Sequence, residues 1–295
     1  MTDKHAKRIR RAVEYEQKQI DRQREQKALL KAQKRLSKLH AQQQHTPEPV
    51  EPVPVPWLGP LHVACLIHSN GYDWQYVERL YNSVRRNSTY EVVFHVFTEA
   101  HRPVPPDMVK HELIEWADIN GPRKSWWYKM QVFNPANHSG PLLYFDLDTV
   151  IVRNFDWIPK LSLRYFWATR DFRQLWRPTH RGINSSVMWW DTQRFAWMWQ
   201  EFEKRNIYHL MRQYPGDQDY VSDLLTDKDM RYFPQGNTAS WRWQCLDGGM
   251  DFKTRRYLEP NTGTKVDPKT SILIFHGSPK PHELAHDRVV QNFWQ

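Results

Sequence analysis

The stretch that most constrains the fold is Leu142–Asp156, LLYFDLDTVIVRNFD. Leu142 to Phe145 are large and apolar. Asp146 and Asp148 follow at alternate positions, and Val150, Ile151 and Val152 resume the apolar run. Apolar runs this short read as strands buried on both faces. A carboxylate at the end of a buried strand is costly unless a counter-charge neutralises it. In an open α/β sheet, ligands bind outside the carboxyl ends of the strands. A divalent cation that carries a phosphorylated substrate meets both demands, and Mn²⁺ or Mg²⁺ take oxygen ligands of this type. The plainer alternative is a strand that ends in two solvated acids.

The rest of the chain sorts around that stretch. Its 295 residues suffice for one large domain or two modest ones. No apolar run approaches the roughly 20 residues that span a bilayer, and the start is charged from Lys4 onward, unlike a secretory leader. Two cysteines, Cys65 and Cys245, are too few for a disulfide framework or a cysteine-based zinc site. No transmembrane segment and a cytoplasmic location are therefore expected. Residues 1–45 hold 13 Lys and Arg against 5 Asp and Glu, a net of +8 out of the whole chain's +9. They contain no Gly or Pro and read as a solvated basic helix or a disordered extension, suited to an anionic surface or a nucleic acid. Residues 46–56, TPEPVEPVPVP, form a proline-rich linker, and the folded domain is expected over 57–295.

Within that domain the pattern predicts a strand at Leu61–Ile67, a turn at His68-Ser69-Asn70-Gly71, a helix at Trp74–Arg86 and a strand at Val92–Phe97. It predicts a short strand near Glu112–Trp116 and a helix at Ser125–Phe133, with Arg123 and Lys124 just before it and Lys129 inside it. Strands follow near Tyr165–Thr169 and Arg181–Trp190, then a long aromatic helix from Thr192 to about Tyr208. A helix opening at Gly216-Asp217-Gln218-Asp219 and a strand at Ile272–Phe275 complete the set. Asp217 also suits a helix N-cap. The loop after the last strand, His276-Gly277-Ser278-Pro279-Lys280-Pro281, has the composition of a ligand loop. Fifteen tryptophans suit either stacking on sugars and bases or, for most of them, core filling. The GxGxxG dinucleotide fingerprint is absent.

Four segments in this order, YFDLDTVIV, GINSSVMWWD, GDQDYVSDLL and FHGSPKP, resemble the GT-A-fold glycosyltransferases of the glycogenin and lipopolysaccharide galactosyltransferase group (family 8-like). The resemblance covers roughly residues 61–285. It implies an α/β fold, a mixed sheet flanked by helices, here preceded by the basic extension. It implies that Asp146 and Asp148 hold Mn²⁺ or Mg²⁺ against a nucleotide-diphosphate sugar, with a UDP-sugar expected. Lys129 would contact the donor, Ser69 and Asn70 its nucleoside, and Asp171 its sugar. Asn184 would match the family's F-N-x-G segment. Asp217, Gln218 and Asp219 would line sugar and acceptor. Gly277 and Lys280 would match G-x-x-K-P, with Lys280 on the leaving diphosphate. The sequence departs from the family at two places. The metal-binding His three positions before that Gly is Ile274 here, so His276, next to Gly277, would have to join Asp146 and Asp148 as the third metal ligand, and Ser186 replaces a Gly.

The implied reaction transfers a hexosyl or pentosyl group to an acceptor hydroxyl with retention. A metal and Lys280 would offset charge on the leaving diphosphate. Asp217 or Gln218 would face the oxocarbenium-like carbon. Acceptors in view are a modified base in DNA, a glycan, a lipid or a protein. The competing reading is a nucleic-acid-binding protein with a catalytically idle α/β domain.

Overall fold

The computed structural model describes residues 57–69, 71–121, 124–246, 250–251, 254, 256–257 and 264–295. The basic extension 1–45, the linker 46–56, Asn70 and Arg123 lie outside the described residues. The strands are β1 Leu61–Leu66, β2 Val92–Thr98, β3 Val109–Glu112, β4 Pro141–Phe145, β5 Thr149–Ile151, β6 Phe166–Arg170, β7 Ile183–Asp191, β8 Met230–Tyr232, β9 Thr238–Ser240, β10 Met250–Asp251, β11 Arg256–Tyr257 and β12 Ile272–Ile274. Seven of them form one sheet in the order β3-β2-β1-β4-β7-β6-β8. Strands β3, β2, β1 and β4 run parallel, β7 runs against both β4 and β6, and β8 runs with β6. This is the expected mixed α/β sheet, rich in parallel pairs and covered by helices.

Alternate residues along a strand point to opposite faces, and the two faces feed two cores. Leu61, Val63 and Cys65 of β1 join Phe94, Val96, Leu143 and Phe145 under the helix Trp74–Arg86. Ala64 joins Phe97, Leu142, Tyr144, Met188 and Trp190 on the other face, under the segments Ser125–Phe133, Ala196–Glu203 and Asp217–Leu224. Trp190 is fully buried, with its ring 5.1 Å from that of Phe133 and 5.6 Å from that of Phe166. Trp190→Ala is expected to cost about 3–5 kcal/mol of folding stability, read as a lowered urea midpoint. A loss below about 1 kcal/mol would mean that this face closes over the gap and is not close-packed.

Local competition moves several predicted elements. The strand expected near Glu112–Trp116 ends at Glu112, because the Gln131 side chain takes both backbone groups of Ile114, at 2.8 and 2.7 Å. The long helix from Thr192 is two helices, Ala196–Glu203 and Ile207–Gln213, because the Asn206 side chain caps the second one by accepting from Tyr208 N and His209 N. The segment Ser125–Phe133 forms 3₁₀ turns. Gly216, with an extended backbone, is the N-cap of the helix at Asp217–Leu224, so Asp217 is its first residue and its carboxylate is free to act elsewhere.

The two apolar runs around Asp146-Leu147-Asp148 belong to different sheets. Strand β4 lies in the large sheet, while β5 pairs with β12, which pairs with β9. Backbone bonds hold the crossing from both sides: Asp146 N donates to Ser186 O at 2.8 Å, and Phe275 N donates to Asp148 O at 3.2 Å. The two carboxylates thus stand where one sheet hands the chain to the other. Among the described residues, no helix is long and apolar enough to cross a membrane.

Candidate active site

Asp146 follows β4 at the carboxyl edge of the parallel strands, beside Ser69 after β1 and Glu99 after β2. Its Oδ1 accepts from Lys129 Nζ at 2.8 Å and from Tyr144 Oη at 3.0 Å. Lys129 is buried and bridges to Asp217 Oδ2 at 3.3 Å and to Ser185 Oγ at 3.1 Å. Ser185 Oγ itself donates to Asp217 Oδ2 at 2.9 Å. Burial alone would discharge the lysine, but the Asp146 and Asp217 carboxylates outweigh it and raise its pKa. Burial pushes the Asp217 carboxyl up, and Lys129 pulls part of that back. One ammonium therefore serves two acids.

Asp148 is also buried, and its Oδ2 accepts from Lys280 Nζ and, at 3.0 Å, from Tyr72 Oη. Lys280 additionally donates to Phe275 O at 3.2 Å. Gly277 opens the loop that carries Lys280 with a left-handed backbone, φ 74°. A third group surrounds Gln218, whose Oε1 accepts from Asn184 Nδ2 at 3.2 Å while its Nε2 donates to Asp171 Oδ2 at 3.1 Å. Arg173 bridges Asp171, at 2.5 Å, to Asp219, at 2.8 Å. Gly182 lies so close that a side chain there would meet Asp171 Oδ2 at 3.2 Å and His180 Nε2 at 2.7 Å.

The structure thus brings Lys129, Asp146 and Asp217 into one cluster, Asp148 and Lys280 into a second, and Asp171, Asn184, Gln218 and Asp219 into a third. The third group adjoins the first through consecutive residues, Asn184 next to Ser185 and Asp217 next to Gln218. Counted as ionised, Asp146, Asp148, Asp171, Asp217 and Asp219 outnumber Lys129, Arg173, Lys280 and Arg242, whose guanidinium lies against Gly277, by one negative charge. Asp146 Oδ2 and Asp148 Oδ1 have no hydrogen-bond partner among the described residues. Two uncommitted carboxylate oxygens in a region short of positive charge fit a hard divalent cation.

His276 is not brought to them. Its Nε2 lies 2.7 Å from Ser240 Oγ, and its ring stacks on Phe172 and meets Trp243 edge-on. Burial, then Arg242 and Lys280, push its pKa down to about 4, so it is a neutral, half-buried ring at neutral pH. Ile274, at the position where the family has its His, is fully buried in β12. Asp146, Asp148 and His276 do not form a three-ligand cluster among the described residues.

Ser69 sits in the left-handed region, φ 61°, a cost of about 1 kcal/mol for a residue with a side chain. Glu99 holds it there by accepting from Ser69 N at 2.6 Å, and Arg102 donates to Ser69 O at 2.9 Å. Burial raises the Glu99 pKa, but hydrogen bonds from Arg102, Ser69 and Thr98 outweigh it and bring it down to about 2. Sequence reasoning missed Glu99, Arg102, Tyr72, Arg173 and Ser185. Glu99 directly after a buried strand, with Arg102 three residues on, was a readable signal. Tyr72 and Ser185 carried none.

No protein-family model and no curated protein matches the chain. Among solved structures, an active-site mutant of LgtC is similar with a TM-score of 0.55 and 12% identity, covering 78% of this chain and 93% of that one. The galactosyltransferase LgtC in complex with donor and acceptor sugar analogs gives a TM-score of 0.50 at 13% identity, covering 75% and 89%. The apo glycosyltransferase GlyE of Streptococcus pneumoniae TIGR4 gives 0.52 at 15% identity, covering 75% of this chain and 56% of that one, so the chain spans little more than half of GlyE. At such identities the likeness is one of fold: this chain has the mixed α/β GT-A fold of LgtC and GlyE.

Proposed function

We propose that the protein is a metal-dependent glycosyltransferase that moves a sugar from a nucleotide diphosphate to an acceptor hydroxyl, with retention. The observation that carries this reading is the placement of two lysine-paired carboxylates, Asp146 with Lys129 and Asp148 with Lys280, at the carboxyl edge of the parallel strands. Asp146 and Asp148 would hold Mn²⁺ or Mg²⁺, which supplies charge neutralisation of a diphosphate. Lys280 can exchange Asp148 for the leaving phosphate and stabilise the charge that grows there as the anomeric C–O bond breaks. Gln218 and Asp217 present a carbonyl and a carboxylate towards which the electron-poor anomeric carbon can turn. Asn184 and Asp171 hold the two ends of the Gln218 amide, so its orientation is set before the substrate arrives. Ser69, held by Glu99 and Arg102, is the expected contact for the nucleoside, with UDP the expected nucleotide.

LgtC has been solved with donor and acceptor sugar analogs, which supports a sugar acceptor over the alternatives. The nucleic-acid reading, including a base in DNA as acceptor, draws only on the charge of residues 1–45, outside the described residues. A nucleotide-sugar panel with and without Mn²⁺, followed by thermal shift, tests the proposal. One donor at 100 times its dissociation constant is expected to stabilise the fold by about 2.7 kcal/mol, and only with the metal present. No shift with any donor, or equal shifts without metal, would sink it.

A further inference from the structure

A second cluster of titratable side chains lies outside the site described above. His62 on β1, His95 on β2 and His138 in the loop before β4 place their ligating nitrogens within 4.8 Å of one another. His62 lies 4.4 Å from His138 and 5.1 Å from His95, ring centroid to centroid. His95 is buried, while His62 and His138 are half-buried, so the cluster is open on one side.

The hydrogen bonds fix the free nitrogen of His138 and allow tautomers of His62 and His95 that leave one nitrogen free on each. His138 Nε2 lies 3.1 Å from the Pro141 carbonyl oxygen, which can only accept, so Nε2 carries the proton and Nδ1 keeps its lone pair. His95 Nδ1 lies 2.8 Å from His111 Nε2, and His62 Nδ1 lies 2.9 Å from His95 Nε2. With His95 donating from Nδ1 to His111, its Nε2 lone pair faces His62. A proton shift from Nδ1 to Nε2 on His62, with no net proton gained or lost, turns both facing nitrogens into ligands. Two of the three rings then donate their outer N–H to a neighbour, His111 or the Pro141 carbonyl. That is the arrangement that orients metal-bound imidazoles. The facing nitrogens at 2.9 Å need only part to about 3.3 Å for tetrahedral bonds of about 2.05 Å.

We propose that His62, His95 and His138 form a zinc site, with His111 and the Pro141 carbonyl orienting two of its ligands and an open fourth position for water. Three imidazoles favour Zn²⁺ over the hard Mg²⁺ and Mn²⁺ suited to Asp146 and Asp148. Burial and the mutual repulsion of the rings push His95 down to about 3, and burial with His138 pushes His111 to about 4, so both present neutral rings. The strand register places His62 four residues below the level of Asp146, about 13 Å along the sheet. The ion therefore ties β1, β2 and the entry to β4 at the end of the sheet opposite the carboxylates. The inference is one of metal binding, and it stands apart from the transferase reading.

The test is a titration of the metal-free full-length protein with Co²⁺ in excess Mg²⁺, followed by competition with Zn²⁺. The expected result is one Co²⁺ per chain with the intense visible bands of four-coordinate cobalt, displaced by stoichiometric Zn²⁺. His62→Gln and His138→Gln, both at half-buried positions, are expected to lose the bands while keeping the far-UV spectrum of the parent. His111→Gln should weaken binding about 10- to 100-fold, and Asp146→Asn and Asp148→Asn should leave the bands unchanged. A folded parent protein without four-coordinate bands overturns the site, as do bands that persist in whichever of the two ligand variants folds.

Discussion

Asp148→Asn is expected to lower turnover of any nucleotide-sugar donor by at least about 100-fold, the scale of losing one key electrostatic stabiliser. Asparagine keeps the shape and still accepts the 3.0 Å hydrogen bond from Tyr72. It loses the charge that faces Lys280 and would face the metal. The fold should survive, because the Lys280 side chain is 24% exposed and can rehydrate when its partner is neutralised. The check pairs steady-state kinetics with thermal melts, and adds EDTA to the parent enzyme. A variant that melts normally, turns over within about tenfold of the parent and comes from an EDTA-insensitive enzyme would remove the metal from the reaction.

How far the sequence reveals this depends on whether the deciding contact is local. The strand before Asp146 was legible because its apolar run, between Gly140 and Asp146, is too short for a helix, and Pro141–Phe145 is buried throughout. The destination of the next run was not legible. Thr149–Ile151 pairs with Ile272–Ile274, more than a hundred residues on, and nothing in either run names the other. The helix break at Asn206 was present in the sequence, since an Asn ahead of a periodic apolar segment is a cap signal. The crowd of aromatics around it masked that signal.

The site divides in the same way. The order of four segments was enough to gather Asp146, Asp148, Lys280, Gln218 and Asn184 as candidates. It could not show that Asp217 gives up capping its own helix to meet Lys129, 88 positions earlier in the chain. Local chemistry favours the cap, and only the packing of Ser125–Phe133 against the helix at Asp217 decides otherwise. The histidines at 62, 95, 111 and 138 look scattered in sequence. They converge because the parallel register sets His95 beside Ala64 and Val109 and keeps His62 and His95 on one face. A slip of one residue would send any one of these strand histidines to the other core.

Lys129→Met is the other large effect, and it falls on stability as well as activity. Methionine matches the length of the lysine stem but leaves Asp217, 6% exposed at its side chain, with no cation. Removing one partner of a buried pair costs about 3–5 kcal/mol, because the remaining charge stays in low dielectric. Asp146, 25% exposed at its side chain, can turn to water and should contribute little of this. Burial already raises the Asp217 pKa, and loss of Lys129 removes the charge that pulled it down. A carboxyl whose folded pKa exceeds its unfolded value supports folding below the unfolded value and loses that support as pH rises through the folded one. The deficit of Lys129→Met against the parent should therefore shrink as pH falls, measured by denaturant titration at several pH values. Adding Asp217→Asn should recover much of the loss at neutral pH, since Ser185 Oγ can still donate to the amide oxygen. A deficit that is flat with pH and untouched by Asp217→Asn would mean that the cost does not come from an unpaired Asp217 carboxylate, and would point to the lost contact of the ammonium with the Tyr144 ring, 5.4 Å from its centroid.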